Sequence, residues 1–288
     1  MQVGSQHKRP HGARHADSNM RHFYGNIIFP QIMKKGSILL LECIFLQVLL
    51  YLVLGLYYTK YDNPHPEVIF FCEQNRNQSL FIQEANAWSS VSYQVVAWMC
   101  ILLLSLDDIP LSGYEIIAPM LIGLVGIGSL AFHGLVHLWA GLVDYIFLDA
   151  YICYELSVSI FGDNRIQRIF YVSLTACTLL VVYLAPPLIY DEGYLLYLPD
   201  VGLSSLVIVA TLITAFFITN AYLIKNRGIL RKDLLLILAL AFLICGFSFW
   251  LAFNGDCSSA TSHIQGHAAW HVFTSLAMGS VFVHRVIH

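Results

Sequence analysis

Charge is what this sequence has least of. Asp, Glu, Lys and Arg make up 11% of its 288 residues, where a water-soluble globular chain carries roughly a quarter. A surface so poor in charge cannot face water on every side. Neither sign is in excess, since 15 Lys+Arg stand against 18 Asp+Glu for a net charge of -3. That balance leaves no basic footprint for nucleic acid. The sequence also lacks a Gly-rich phosphate loop and a dinucleotide fingerprint, so nothing points to a nucleotide cofactor. What it has in plenty is apolar side chains, 58% of the total, with a mean hydropathy of +0.67. Wholesale disorder, a collagen-like chain and a soluble enzyme are excluded, and an all-α polytopic membrane protein remains.

Crossing a bilayer takes about 20 apolar residues of helix. Segments of that kind lie at 37–59, 88–106, 114–137, 140–161, 167–188, 201–224, 234–253 and 264–284. Runs such as 234–242 are apolar on all sides rather than at alternate positions, which favours helices over barrel strands. The first segment follows 36 mostly polar residues, too long a lead for a cleaved signal peptide, so it reads as a retained anchor. The expected organisation is a disordered cytoplasmic tail (1–36), an N-terminal transmembrane anchor (37–59), an exoplasmic loop (60–87) and a seven-helix catalytic core (88–288). Gly123, Gly126 and Gly128 fall inside one span, where small residues let helices approach closely.

Lys and Arg favour the cytoplasmic side of short loops. Threading eight spans from a cytoplasmic start places all but two of the 15 basic residues inside, the exceptions being Lys60 and Arg76. Both termini are then cytoplasmic. Cys72 and Cys257 fall in exoplasmic loops, the oxidising side, and are expected to pair, although spacing alone does not fix their geometry.

Ionisable groups inside membrane helices are expensive, so each is a functional candidate. The densest collection lies at the exoplasmic ends of three spans. One carries Ser129 and His133, four residues apart and therefore on one helix face. The next carries Asp144, with Asp149 and Glu155 deeper, where structural pairing is the preferred reading. The last opens with His263, His267 and His271. His-x-x-x-His presents two imidazoles to one point, a common way to hold zinc, and His133 at a similar depth supplies a third. Three protein ligands rather than four mark a catalytic zinc, which makes water acidic enough to attack a carbonyl. Asp144 would handle the proton, and the Ser129 hydroxyl would donate to a developing oxyanion. His137 and His263 also lie four residues from expected ligands and compete for the role, but they sit nearer the water interface.

These residues carry a resemblance. The stretches Phe71-Cys72-Glu73-Gln74-Asn75, Glu84-Ala-Asn86-Ala-Trp88-Ser-Ser, Gly128-Ser129-Leu-Ala-Phe-His133, Asp144 and His267-Ala-Ala-Trp270-His271 together resemble the alkaline ceramidases. Those are intramembrane zinc amidases related to adiponectin-receptor-like proteins. The resemblance implies a seven-helix core with zinc on His133, His267 and His271. Ser129 and Asp144 would assist hydrolysis of the ceramide amide to sphingoid base and fatty acid. It also implies calcium beside the zinc region on Glu73, Asn75 and Glu84, and it supports the Cys72–Cys257 pair. Phe70 and Phe71 depart from the acidic residue and Trp that accompany calcium in the family, which weakens that expectation. The alternative for Glu73 and Glu84 is to cap the helix near residue 84.

The expected activity is therefore zinc-dependent hydrolysis of ceramide, or of its phyto- or dihydro- form. The lipid would enter from the bilayer, with apolar side chains such as Phe132 and Trp270 along its chain. Two other readings stay open: a lipid ester hydrolase of the same superfamily, acting for example on glycosylphosphatidylinositol lipids, and a receptor-like protein with structural zinc. An exoplasmic site fits the lumen of the endoplasmic reticulum or Golgi, the outer cell face, or a bacterial periplasm, with the first two preferred for a eukaryotic protein. The topology has a direct check. In sealed microsomes, protease added outside should cut the 225–232 loop and spare 60–87, and the reverse pattern would overturn the threading.

Overall fold

The computed structural model describes residues 73, 81–106, 113–136, 138–162, 164, 166, 167, 169, 171, 173, 198–254 and 265–287. Every regular element among them is helical. In chain order they are α1 (Glu84–Ser89), α2 (Val91–Leu106), α3 (Gly113–Leu135), α4 (Leu138–Phe161), α5 (Leu198–Arg227), α6 (Leu234–Asn254) and α7 (Gly266–Val286). A short 3-10 turn, Arg231–Asp233, leads into α6. The expected anchor 37–59 and most of the expected span 167–188 lie outside the described residues, so the seven-helix count is not settled by these elements.

Four stretches are long and apolar enough to cross a membrane, namely Glu84–Leu104, Glu115–Leu135, Ile208–Arg227 and Arg231–Phe253. The protein is an integral membrane protein. The two long helices outside that set are α4, with Asp144, Asp149 and Glu155, and α7, with His267 and His271. Their polar residues lower the hydropathy that would mark a span. Asp149, Glu155, His267 and His271 are all buried by protein, as ionisable groups at membrane depth should be.

One expected span, 88–106, is shaped differently. The helical path begins earlier, at Glu84, and tightens at Ser90, whose N–H lies within reach of the carbonyls of both Asn86 and Ala87. The short α1 is anchored at both sides. Ile82 and Gln83 donate backbone N–H to the carbonyls of Gly134 and His133 at 3.2 and 3.0 Å, satisfying two groups that the end of α3 leaves without helical partners. Glu73 caps the start of α1, accepting from the N–H groups of Ala85 at 2.7 Å and Asn86 at 2.9 Å. In the absence of a capping side chain at Gln83, this buried carboxylate supplies both the acceptors and the negative charge that a helix N-terminus favours.

Around α1 the longer helices pack in a ring of neighbours. α3 lies against α1, α2 and α4, α7 lies against α1, α2, α3 and α6, and α5 packs on α4. The main core joins Tyr93, Leu104, Ile122, Val125, Tyr151 and Phe282 with their neighbours. Close approach requires glycine at Gly128, where a Cβ would stand 2.9 Å from the Cα of Asp144. That backbone contact holds α3 against α4 next to Ser129.

A side chain at Gly128 would therefore meet backbone that cannot rotate away. Gly128→Val should lower stability by about 1–3 kcal/mol through overpacking. It should be read as a lower thermal unfolding midpoint in detergent, and an unchanged midpoint would contradict this packing.

Candidate metal centre

His133 stands on the last turn of α3, and His267 and His271 stand on the first turns of α7. All three are buried. One nitrogen from each lies within 4.8 Å of the others, the only such group of three His, Cys, Asp or Glu among the described residues. The Nε2 atoms of His133 and His267 are 3.2 Å apart. Two nitrogens on one tetrahedral zinc, each about 2.0–2.1 Å from it, stand about 3.3 Å apart. The donor set is thus sized for such an ion.

The opposite ring nitrogens are already committed. His133 Nδ1 lies 2.7 Å from Gln83 Oε1, an acceptor, so Nδ1 carries the hydrogen and Nε2 keeps its lone pair. His271 Nδ1 lies 3.1 Å from the carbonyl of Asn86 and 2.8 Å from Ser89 Oγ. Ser89 Oγ in turn donates to the same carbonyl at 2.8 Å. The carbonyl can only accept, so this ring too is held as the Nδ1–H tautomer with Nε2 free to bind a cation. An outer hydrogen bond that fixes tautomer and orientation is the usual support for a metal-binding imidazole.

Ser129 joins the group. Its Oγ is 3.2 Å from His271 Nε2 and 3.0 Å from Ser90 Oγ. Ser90 Oγ also lies 2.9 Å from the Asn86 carbonyl, so its one proton serves either acceptor, and the Ser129 hydroxyl stands at the edge of the histidine cluster. Asp144 is placed near the site but outside the trio. Its backbone faces Gly128, the residue before Ser129, and the Tyr93 ring is 6.0 Å from that of His271. Aromatic rings close the side towards α6, with Trp250 at 5.5 Å from His267 and 5.8 Å from Trp270. Phe132 packs at 5.0 Å from His133.

Of the two tasks expected for Glu73, the structure shows helix capping. Both of its oxygens receive the N–H groups that open α1, and Glu84 joins no cation-holding group with it. Calcium on Glu73, Asn75 and Glu84 therefore has no support among the described residues, and helix capping is the role seen for Glu73. Asn75, Cys72, Cys257, His137 and His263 lie outside the described residues. Of the described cysteines, Cys100, Cys153 and Cys245 are free thiols. The sequence reading missed Gln83 altogether and gave no role to the Asn86 carbonyl, Ser89 or Ser90, although the stretch that carries them entered the resemblance. Their signal was a cluster of polar residues where a membrane helix begins, but nothing in the sequence aimed them at histidines up to 185 positions away.

Residues 66–287 match the family model described as Ceramidase. The chain belongs to the ceramidase family. No curated protein matches it. The three histidines, Ser129 and Asp144 all fall inside the matched region of this ceramidase, and the family acts on the amide bond of ceramide. The geometry accordingly belongs to a hydrolase.

Removing the partner of His133 tests the tautomer argument on binding rather than turnover. Gln83→Ala should weaken zinc binding by about 10- to 100-fold, measured by competition with a chromophoric chelator. Unchanged affinity would mean that Gln83 does not orient the ring.

Proposed function

We propose that this ceramidase hydrolyses its lipid amide with zinc held by His133, His267 and His271. The observation that carries the proposal is the 3.2 Å approach of two Nε2 atoms, beside a third ring whose Nδ1–H is already spent on Asn86 and Ser89. Zinc in such a site supplies Lewis acidity, polarising an amide carbonyl and lowering the pKa of water.

The protein's own groups do the rest. Ser129 donates its hydrogen to the oxygen that gains negative charge as water adds to the carbonyl carbon. Asp144 accepts the proton that this water loses and passes it to the amine nitrogen as the C–N bond breaks. The products are a sphingoid base and a fatty acid. Trp250, Trp270 and Phe132 keep bulk water from the reacting atoms, so that these few dipoles act in a low dielectric.

An apolar cavity runs away from the site between α4, α5, α6 and α7, with Trp270 and Thr274 at the histidine end. It accommodates an aliphatic chain of a substrate arriving from the bilayer. The seven-helix core with an extra N-terminal anchor, and a site on the exoplasmic side of an endoplasmic reticulum or Golgi membrane, complete this reading.

The experiment is mass spectrometry of lipids incubated with purified protein. Fatty acid should be released from ceramide, and release should stop with a strong zinc chelator and return with added zinc. His267→Ala and His271→Ala should each lower turnover by at least about 100-fold, as loss of a principal transition-state contact does. Undiminished turnover in the His267→Ala/His271→Ala double variant would refute the proposal. Faster cleavage of an ester analogue than of ceramide would instead favour an ester hydrolase.

A further inference from the structure

The lining of the cavity runs along α7 from Trp270, next to His271, to Val281. On α4 its wall includes Leu148, Tyr151 and Glu155, on α5 Phe216, and on α7 Thr274 and Val281. One helical turn beyond Glu155, Phe216 and Val281 stand Ser159, Asn220 and Arg285. These three polar residues do not line the cavity, and they are bonded to one another. Asn220 Nδ2 donates to Ser159 Oγ at 3.1 Å. The Arg285 guanidinium donates to Ser159 Oγ and, at 3.4 Å, to Asn220 Oδ1. Arg285 Nε is also 3.6 Å from Glu155 Oε2. Beside Glu155, the Tyr151 hydroxyl donates to the carbonyl of Met278 at 3.1 Å. Three helices are thereby cross-linked by polar groups in one layer.

An aliphatic chain can pack against the carbon walls above this layer but cannot pass through it. Doing so would separate Arg285 from Glu155 and leave a buried charge without its partner, which is strongly unfavourable. Nor can a methyl group replace any of the lost hydrogen bonds.

We propose that the Glu155–Ser159–Asn220–Arg285 layer is a length stop that sets which aliphatic chain the enzyme accepts. The proposal rests on the amide-hydrolase reading of the site above. Along α7, His271 to Val281 rises about 15 Å and His271 to Arg285 about 21 Å. A zigzag carbon chain advances roughly 1.25 Å per bond, so a straight chain reaching from His271 to this layer would have roughly 12 to 17 carbons. The chain is either the fatty acyl group or the sphingoid base, which share this chemistry.

Two substrate series on the purified full-length protein separate them, one varying the acyl chain at fixed base and the other varying the base at fixed acyl chain. Turnover should fall beyond a cut-off length in one series only, which identifies the chain in the cavity. Ala277→Leu, which fills the wall one turn above Val281, should lower the ratio of long-chain to short-chain turnover by about tenfold and move the cut-off to shorter chains. Asn220→Ala/Ser159→Ala should move it to longer ones. Profiles that keep their shape in all these variants, or the absence of a cut-off in both series, would overturn the length stop.

A second measurement does not need hydrolysis. Ceramides carrying a diazirine at the end of either chain should, on irradiation, label the peptides containing Phe216 and Val281 for the chain that shows the cut-off. Labelling spread evenly over the membrane helices would overturn the proposal. If no amide of any length is cleaved, the hydrolase reading fails, and the labelling pattern alone decides the length stop.

Discussion

Each imidazole of the trio has one ring nitrogen to spend on a metal and one that must be satisfied elsewhere, at a depth where neither water nor lipid is a dependable partner. The protein meets this constraint for His133 with the Gln83 amide, and for His271 with the Asn86 carbonyl and Ser89. These contacts fix tautomers as well as positions. Without them the rings could rotate or exchange their protons, and three histidines close together would not be three aligned lone pairs. Much of the local architecture can be understood as the means of placing those acceptors.

The short α1 is that means. It carries Asn86 and Ser89, with Gln83 just before it and Ser90 just after. It is tied to the end of α3 by two backbone hydrogen bonds and capped from a distance by Glu73. Glu73 thus supports His271 by holding the start of the helix that carries Asn86 and Ser89. The Gly128 contact fixes the other side, setting α3 against α4 where Ser129 and Asp144 must be neighbours. The turn after α3 shows the same demand on the backbone. Val136 adopts a left-handed conformation (φ 48°) that β-branched residues rarely tolerate, three residues beyond His133. Strain of this kind persists where surrounding structure over-determines it and is common near functional sites.

The sequence showed the candidate ligands and concealed the residues that hold them in place. His267 and His271 are legible because one helical turn separates them, and Ser129 and His133 are legible for the same reason. Helix periodicity is a local rule. The contacts from Gln83 to His133 and from Ser89 to His271 span 50 and 182 residues, so no local rule reaches them. For Glu73 the sequence left two roles open, an ion ligand by resemblance and a cap for the helix near residue 84, and the N–H groups of Ala85 and Asn86 show the second. Helix positions followed hydropathy well where side chains were apolar. Hydropathy also located α4 and α7 to within about two residues at either end despite their inward polar faces, and it departed most at 88–106, where the polar α1 begins four residues earlier. The pairing of Glu155 with Arg285 agrees with the structural role expected for that carboxylate, although its partner was not evident from spacing.

Placing three imidazoles, a hydroxyl and a nearby carboxylate in one apolar enclosure suits a reaction that moves charge onto a carbonyl oxygen, because each dipole is already oriented before charge develops. The claim on which this depends is that the trio binds one metal through three Nε2 atoms. X-ray absorption spectroscopy at the zinc edge tests it most directly on the purified, active protein. One zinc per chain with three imidazole nitrogens at about 2.0–2.1 Å is the predicted result. Sulfur ligands at about 2.3 Å, or full activity in protein shown to contain no zinc, would contradict it.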